Sequence, residues 1–112
     1  MLFCGYSFIM LVVLTTTPNI EEAESLAEKI VAAKLAACVQ VLPEMKSFYF
    51  WEGAVKKAPE HLLLIKTLPE KYELLQLFIL ENHSYDVPEI VALNASEVSE
   101  TYLDWLNDYL TW

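Results

Sequence analysis

The chain has 112 residues, enough for one domain with a sizeable core and too few for two. More than half of it is hydrophobic, with three Trp, six Tyr and five Phe, which excludes a disordered chain and predicts a densely packed globule. The net charge is −9 and every basic residue is a lysine. This excludes a reader of nucleic-acid backbones, which needs a basic face and usually arginine forks.

The apolar opening MLFCGYSFIMLVVL ends at Thr15. That is short of the roughly 20 residues a membrane span requires, and no basic segment precedes it as in a signal peptide, so no membrane association is expected. Residues 1–9 read as a leader of open status, with Met10 a second candidate start. The domain then runs over 10–112, opening with a buried strand over 9–15. Next, Asn19 followed by Glu22 forms a variant capping box, and Ala23, Leu26, Ala27, Ile30 and Ala33 recur at helical spacing. CVQVL, residues 38–42, returns as a strand that Pro43 interrupts. MKSFYFWEGAVKKAPEHLLLIKT predicts a long hairpin turning near Glu52 and Gly53, with Pro59 marking a bulge or an edge. Thr67 with Glu70 predicts a second capping box, Pro69 suits a first helical turn, and Tyr72, Leu75, Phe78 and Ile79 form the buried stripe. Asn82 ends that helix, and Asp86, Val87 and Pro88 keep the backbone extended into the strand EIVALNA. A last helix places Tyr102, Leu103, Leu106, Tyr109 and Leu110 on one face, with Trp105 beside it.

Strand, helix, strand, strand, helix, strand, helix is the order of an α+β, ferredoxin-like βαββαβ domain with an additional C-terminal helix. One feature conflicts with a solitary domain. Phe48, Tyr49, Phe50 and Trp51 put aromatics on both faces of one strand, whereas an antiparallel sheet with helices on one side alternates apolar with polar. Burying one aromatic contributes roughly 1.5–3 kcal/mol. The hairpin is therefore expected to pack on a second copy of the chain, the alternative being that the terminal helix covers that face.

Cys4 and Cys38 are too far apart for a metal knuckle and too few for a disulfide scaffold, so the expected compartment is the reducing cytoplasm. Cys38, at a strand start after an alanine-rich stretch, reads as a small buried hydrophobe. The polar groups beside apolar segments are Glu60, Lys66, His83, Tyr85, Asp86 and Glu89. Lys66 and Glu89 are read as a structural salt bridge across strand ends. His83 with Glu60 offers nitrogen and oxygen to a divalent ion, copper binding most tightly in the general order. His61 alternates to the strand face opposite Glu60. There is no HExxH, CxxC, nucleophile elbow, P-loop or dinucleotide fingerprint, and no arginine for a phosphate cradle. An enzyme is not expected; the one route to it would use His83 as a general base beside Tyr85.

VVLTTTP, AAKLAACV, SFYFWEG, EHLLLIKT, HSYDVPEI and YLDWL together resemble the CutA family of divalent-cation tolerance proteins, from about residue 10 to 110. The resemblance implies a ferredoxin-like protomer in a tight homotrimer, each hairpin packed against the adjoining subunit through Phe48, Tyr49, Phe50 and Trp51. It implies a role in tolerance of divalent metals, with copper or another divalent cation as ligand and His83 and Glu60 as its contacts. It also implies a pocket at the subunit junction lined by Trp51, Glu60, Lys66, His83, Tyr85, Pro88 and Glu89. The alternative is a PII-like signalling module binding a small anionic metabolite between subunits, with Lys66 as the positive contact. Three positions depart from the family pattern: Thr15 stands where some relatives carry a cysteine, Ser84 where a proline is usual, and Val98 where a glycine is usual. Ser84 is expected to loosen its loop and Val98 to alter the turn before the last helix.

Overall fold

A computed structural model describes residues 5–111. Residues 1–4, with Cys4 and the first part of the leader reading, and Trp112 lie outside the described residues. The elements are β1 (Met10–Thr17), α1 (Ile20–Ala32), β2 (Cys38–Val41), β3 (Met45–Trp51), β4 (Ala54–Thr67), a 3₁₀ turn (Pro69–Lys71), α2 (Tyr72–Asn82), β5 (Val91–Ala95) and α3 (Glu100–Leu110). None of these helices is long and apolar enough to cross a membrane. The remainder of the leader is tied down: the Ser7 N–H donates to Asn107 Oδ1 at 2.8 Å, Asn107 Nδ2 donates back to the Ser7 carbonyl, and the Tyr6 hydroxyl donates to Asp104.

Local chemistry accounts for most boundaries. Asn19 caps α1 by accepting the Glu22 N–H at 2.8 Å. At the other end Lys34 takes a left-handed φ of 59°, and the bonds Leu35 N–H to Ile30 carbonyl and Lys34 N–H to Val31 carbonyl close a Schellman turn. The expected second capping box does not form. The Thr67 hydroxyl is fully buried and donates instead to the Leu35 carbonyl at 2.7 Å, and the chain enters α2 through the 3₁₀ turn behind Leu68. Val98 packs in the core under α3 and is not among the residues with positive φ, so no glycine is needed there.

The sheet order β2–β4–β1–β5, antiparallel at every pairing, is that of a ferredoxin-like fold, with β3 also on β4. Alternation divides β1 between two cores. Leu11 and Val13 join Leu63 and Ile65 under α1 and α2, against Leu26, Ile30, Leu75 and Ile79. Truncating one such buried Leu or Ile to Ala costs about 2–5 kcal/mol. Met10 and Val12 face the other way and meet Leu103, Leu106 and Leu110 of α3. Thus α3 does cover part of the second face, but only at the Met10 end of β1; Val91 and Leu93 stay half exposed.

Pairing of Val41 with Leu63 and of Met45 with Glu60 leaves one extra residue on the β2–β3 side, a bulge around Pro43. Beyond it β3 and β4 run out as a two-stranded arm. Pro59 pairs with Lys46 without a bulge, and β1 reaches only as far as His61, so Pro59 turns its other side to a free edge. Glu52 (φ 51°) and Gly53 (φ 79°) close the arm as a two-residue turn with both residues left-handed, the geometry matched to strand twist. The radius of gyration is 15.2 Å, against roughly 13 Å for a compact chain of this length. On the arm Phe48 is 67% exposed, Phe50 70%, Tyr49 45%, Trp51 52% and Val55 74%. No helix among the described residues covers them.

Candidate functional site

The site begins where α2 ends. Asn82 Nδ2 donates back to the Phe78 carbonyl at 2.9 Å, and His83 turns extended (φ −102°, ψ 143°). This carries the His83 ring, whose side chain is wholly buried, against the end of β1. Its Nε2 lies 2.6 Å from the Thr16 carbonyl oxygen, and its Nδ1 lies 3.0 Å from the Tyr85 N–H. A carbonyl only accepts and a backbone N–H only donates, so the ring is the neutral tautomer with its proton on Nε2 and its lone pair on Nδ1 used.

Ser84 tightens the loop rather than loosening it. Its N–H donates to Glu22 Oε2 at 3.0 Å and its hydroxyl to Glu22 Oε1 at 2.7 Å. Proline could supply neither bond. Glu22 therefore does not return a bond to its own helix cap; its carboxylate holds the loop and sits 3.6 Å from His83 Nδ1. Glu22 and Thr16 were not foreseen as site residues. Nothing local in the sequence signals a carboxylate that acts 62 positions away, or a main-chain carbonyl.

Held this way, Tyr85 stacks obliquely on His83, ring centroids 4.8 Å apart, and its hydroxyl donates to Glu60 Oε2 at 2.7 Å. Burial, and then this bond to Glu60, push the phenol well above its ordinary value. Glu60 is 8% exposed and stands on β4 where the arm begins, opposite Met45. Between the loop and the arm lies a cleft of about 860 Å³. Pro88, Asp86 and Glu89 line its loop side; Tyr49 and Trp51 line its arm side, with Glu60 and Tyr85 at the floor.

Two expected partners are absent from the cleft. Lys66 is six residues along β4 from Glu60, about 20 Å of strand. Its register partners are Val12 and Cys38, and its ammonium sits over the Tyr102 ring at 5.7 Å. Glu89 belongs with the opposite end of β5, so the Lys66–Glu89 salt bridge does not form within the protomer. Without Lys66, no lysine among the described residues of the protomer lines the cleft. His83 adjoins the cleft through Tyr85 and does not line it, while His61 donates from Nδ1 to the Leu42 carbonyl at the bulge. Cys38 is half-buried, close enough to the Tyr102 hydroxyl to raise that phenol's pKa, after burial as the main cause.

Within one protomer the donors do not assemble a copper site. His83 has no nitrogen to spare, Glu60 is committed on one oxygen to Tyr85, and among the described residues no three His, Cys, Asp or Glu side chains cluster as metal ligands do. Thr15, where a cysteine would add a soft ligand, has a buried hydroxyl with no hydrogen-bond partner.

A ferredoxin-like domain with a projecting aromatic arm over an acidic, aromatic cleft defines the class of protein. Its sequence matches the family described as CutA1 divalent ion tolerance protein over residues 11–109, and the chain belongs to that family. It is 46% identical over 98 residues to the chloroplastic protein CutA of Arabidopsis thaliana, covering 88% of this chain and 54% of that one. It is 43% identical over 97 residues to the divalent-cation tolerance protein CutA of Thermus thermophilus, covering 87% and 94%. The crystal structure of CutA1 from Oryza sativa superimposes with a TM-score of 0.90 at 40% identity, over 94% of this chain and 96% of that one. The chain thus spans about half the length of the plant relatives and nearly all of the bacterial one.

Proposed function

We propose that this chain works as a homotrimeric divalent-cation tolerance protein, each β3–β4 arm packing on the next copy and the cleft beneath it forming the ligand site at the junction. The observation that carries this is the bare arm, whose four consecutive aromatics face outward on both sides. An arm-to-body contact joins two different surfaces and must close into a ring to avoid growing into a filament. Three is the number that the family resemblance supplies.

The cation is the finer part of the reading. Relatives carry divalent-cation tolerance in their names, and copper is the ion the resemblance suggests, but the donor set of one protomer does not fit resident copper. We therefore assign this chain a part in the response to divalent ions, with no copper held by His83. We keep it apart from the enzymes, because the lone pair of His83 is spent on a backbone N–H. The cytoplasm is part of the same proposal and rests on the free thiol of Cys38.

Multi-angle light scattering on dilute protein is expected to give the mass of three 12.8 kDa chains; a stable single-chain mass refutes the reading. Calorimetric titration with Cu²⁺ and Zn²⁺ is expected to give the same result for His83→Ala as for the unaltered chain. Loss of binding in that variant would restore His83 as a ligand.

A further inference from the structure

We propose that the cleft's ligand is an extended organic cation, an alkyl polyamine, rather than a compact metal ion; this rests on the reading of the cleft as the ligand site. Glu60 is nine-tenths buried, yet its carboxylate receives one hydrogen bond, from Tyr85, and has no cationic partner among the described residues. Lys56, on the same strand face as Glu60, is four residues or about 13 Å away, and the nearby His83 is neutral. A carboxylate has about four acceptor sites, and the second oxygen of Glu60 is not among the buried atoms that lack a partner, so it opens to the cleft. The unused oxygen of Glu60 is therefore a strong place for an ammonium group to dock.

Spacing decides between the kinds of cation. Glu60, Asp86 and Glu89 all line the cleft but do not cluster as a metal's ligands would. A small divalent ion at one carboxylate leaves the others unanswered. A flexible chain with an ammonium at each end and a third between them can meet them separately, each N–H donating to a carboxylate oxygen. Its methylene segments would lie on the exposed rings of Tyr49 and Trp51, where neighbouring ammonium groups gain cation–π attraction. About 860 Å³ is ample for such a chain.

The test is calorimetric titration of the assembled protein with spermidine and putrescine, beside 1,4-butanediol as the uncharged counterpart of putrescine and MgCl₂ at matched ionic strength. Spermidine should bind more tightly than putrescine, the diol should give no binding heat, and Mg²⁺ should not displace spermidine. Glu60→Gln, whose amide oxygen can still accept the Tyr85 hydroxyl, should weaken spermidine by about tenfold, and Trp51→Leu by about three- to tenfold. Glu28→Gln, which removes the same charge from the exposed face of α1, should leave it unchanged.

The proposal is overturned if neither amine binds, if the diol binds as well as putrescine, or if Glu28→Gln weakens binding as much as Glu60→Gln, since that pattern means diffuse attraction to an acidic protein. Light scattering on the same samples separates the two readings. A chain that stays single refutes the trimer, whereas an intact trimer indifferent to spermidine refutes only the ligand class.

Discussion

Replacing Phe48 and Phe50 together by serine tests the arm most directly. Both rings lie on one face of β3, over Lys57 and Val55 of β4. At 67% and 70% exposure and roughly 200 Å² per ring, they offer about 270 Å² to a neighbour. At about 25 cal/mol per Å² the upper limit is ~7 kcal/mol of association per arm. Comparing variant with parent largely cancels the lost translational freedom that makes buried area a poor guide to absolute affinity. Even a third of that limit, ~2 kcal/mol, weakens each contact about thirtyfold. The isolated protomer should barely respond, because exposed positions away from caps and cores shift stability by only about 0.5 kcal/mol. Sedimentation equilibrium over a dilution series should show dissociation beginning at a markedly higher concentration in the variant, with unchanged far-UV circular dichroism. Equal self-association of variant and parent would mean that these rings are not at the interface, and the reasoning from the bare arm would fail.

Tyr85→Phe removes the single hydrogen bond to the buried Glu60 carboxylate and should cost about 2 kcal/mol, a fall in Tm of ~8 °C, with most of the loss shared in a double-mutant cycle with Glu60→Ala. The raised pKa of Tyr85 has a definite sign: the folded chain keeps the proton above pH 10, the ordinary tyrosine value, while the unfolded chain loses it. Stability should be unaffected below that pH and fall as pH rises through the alkaline range, and denaturant melts should show a shallower fall for Tyr85→Phe. Ser84→Ala removes one of two exposed bonds to Glu22 and should cost about 0.5–1 kcal/mol by chemical denaturation; no change would mean that the loop is held without them. Gly53→Ala should cost about 1 kcal/mol from its left-handed backbone alone, since no atom lies within 4 Å of the added methyl.

Features that depend on neighbours along the chain were legible. Asn19 reads as a cap and is one, Glu52 and Gly53 read as a turn and form one, and the run Phe48 to Trp51 violates alternation in the sequence as it does in space. Competition from distant partners was not legible. Thr67 has the right spacing for a cap, but the Leu35 carbonyl, brought in by the fold, takes its hydroxyl. Ser84 looked like a loosened hinge because Glu22 is remote in sequence. Lys66 and Glu89 seemed able to meet until the register placed them at opposite ends of the sheet. His83 was read as a metal contact, and a single histidine in a sequence does not disclose that both of its nitrogens are taken by main-chain groups.

β4 runs without a break from Ala54 to Thr67, its first half building the arm and its second half lying at the heart of the sheet. Tyr49 and Trp51 stand on the partner strand β3 and line the cleft, so in the proposed assembly they would be shared property, walls for a solute and footing for a sister subunit. Wherever one surface serves two guests their equilibria are linked, and the linkage is reciprocal: whatever factor the solute applies to assembly, assembly applies to the solute. Titrations carried out at different protein concentrations should then give different apparent affinities, and the direction of that drift reports whether the guests cooperate or compete.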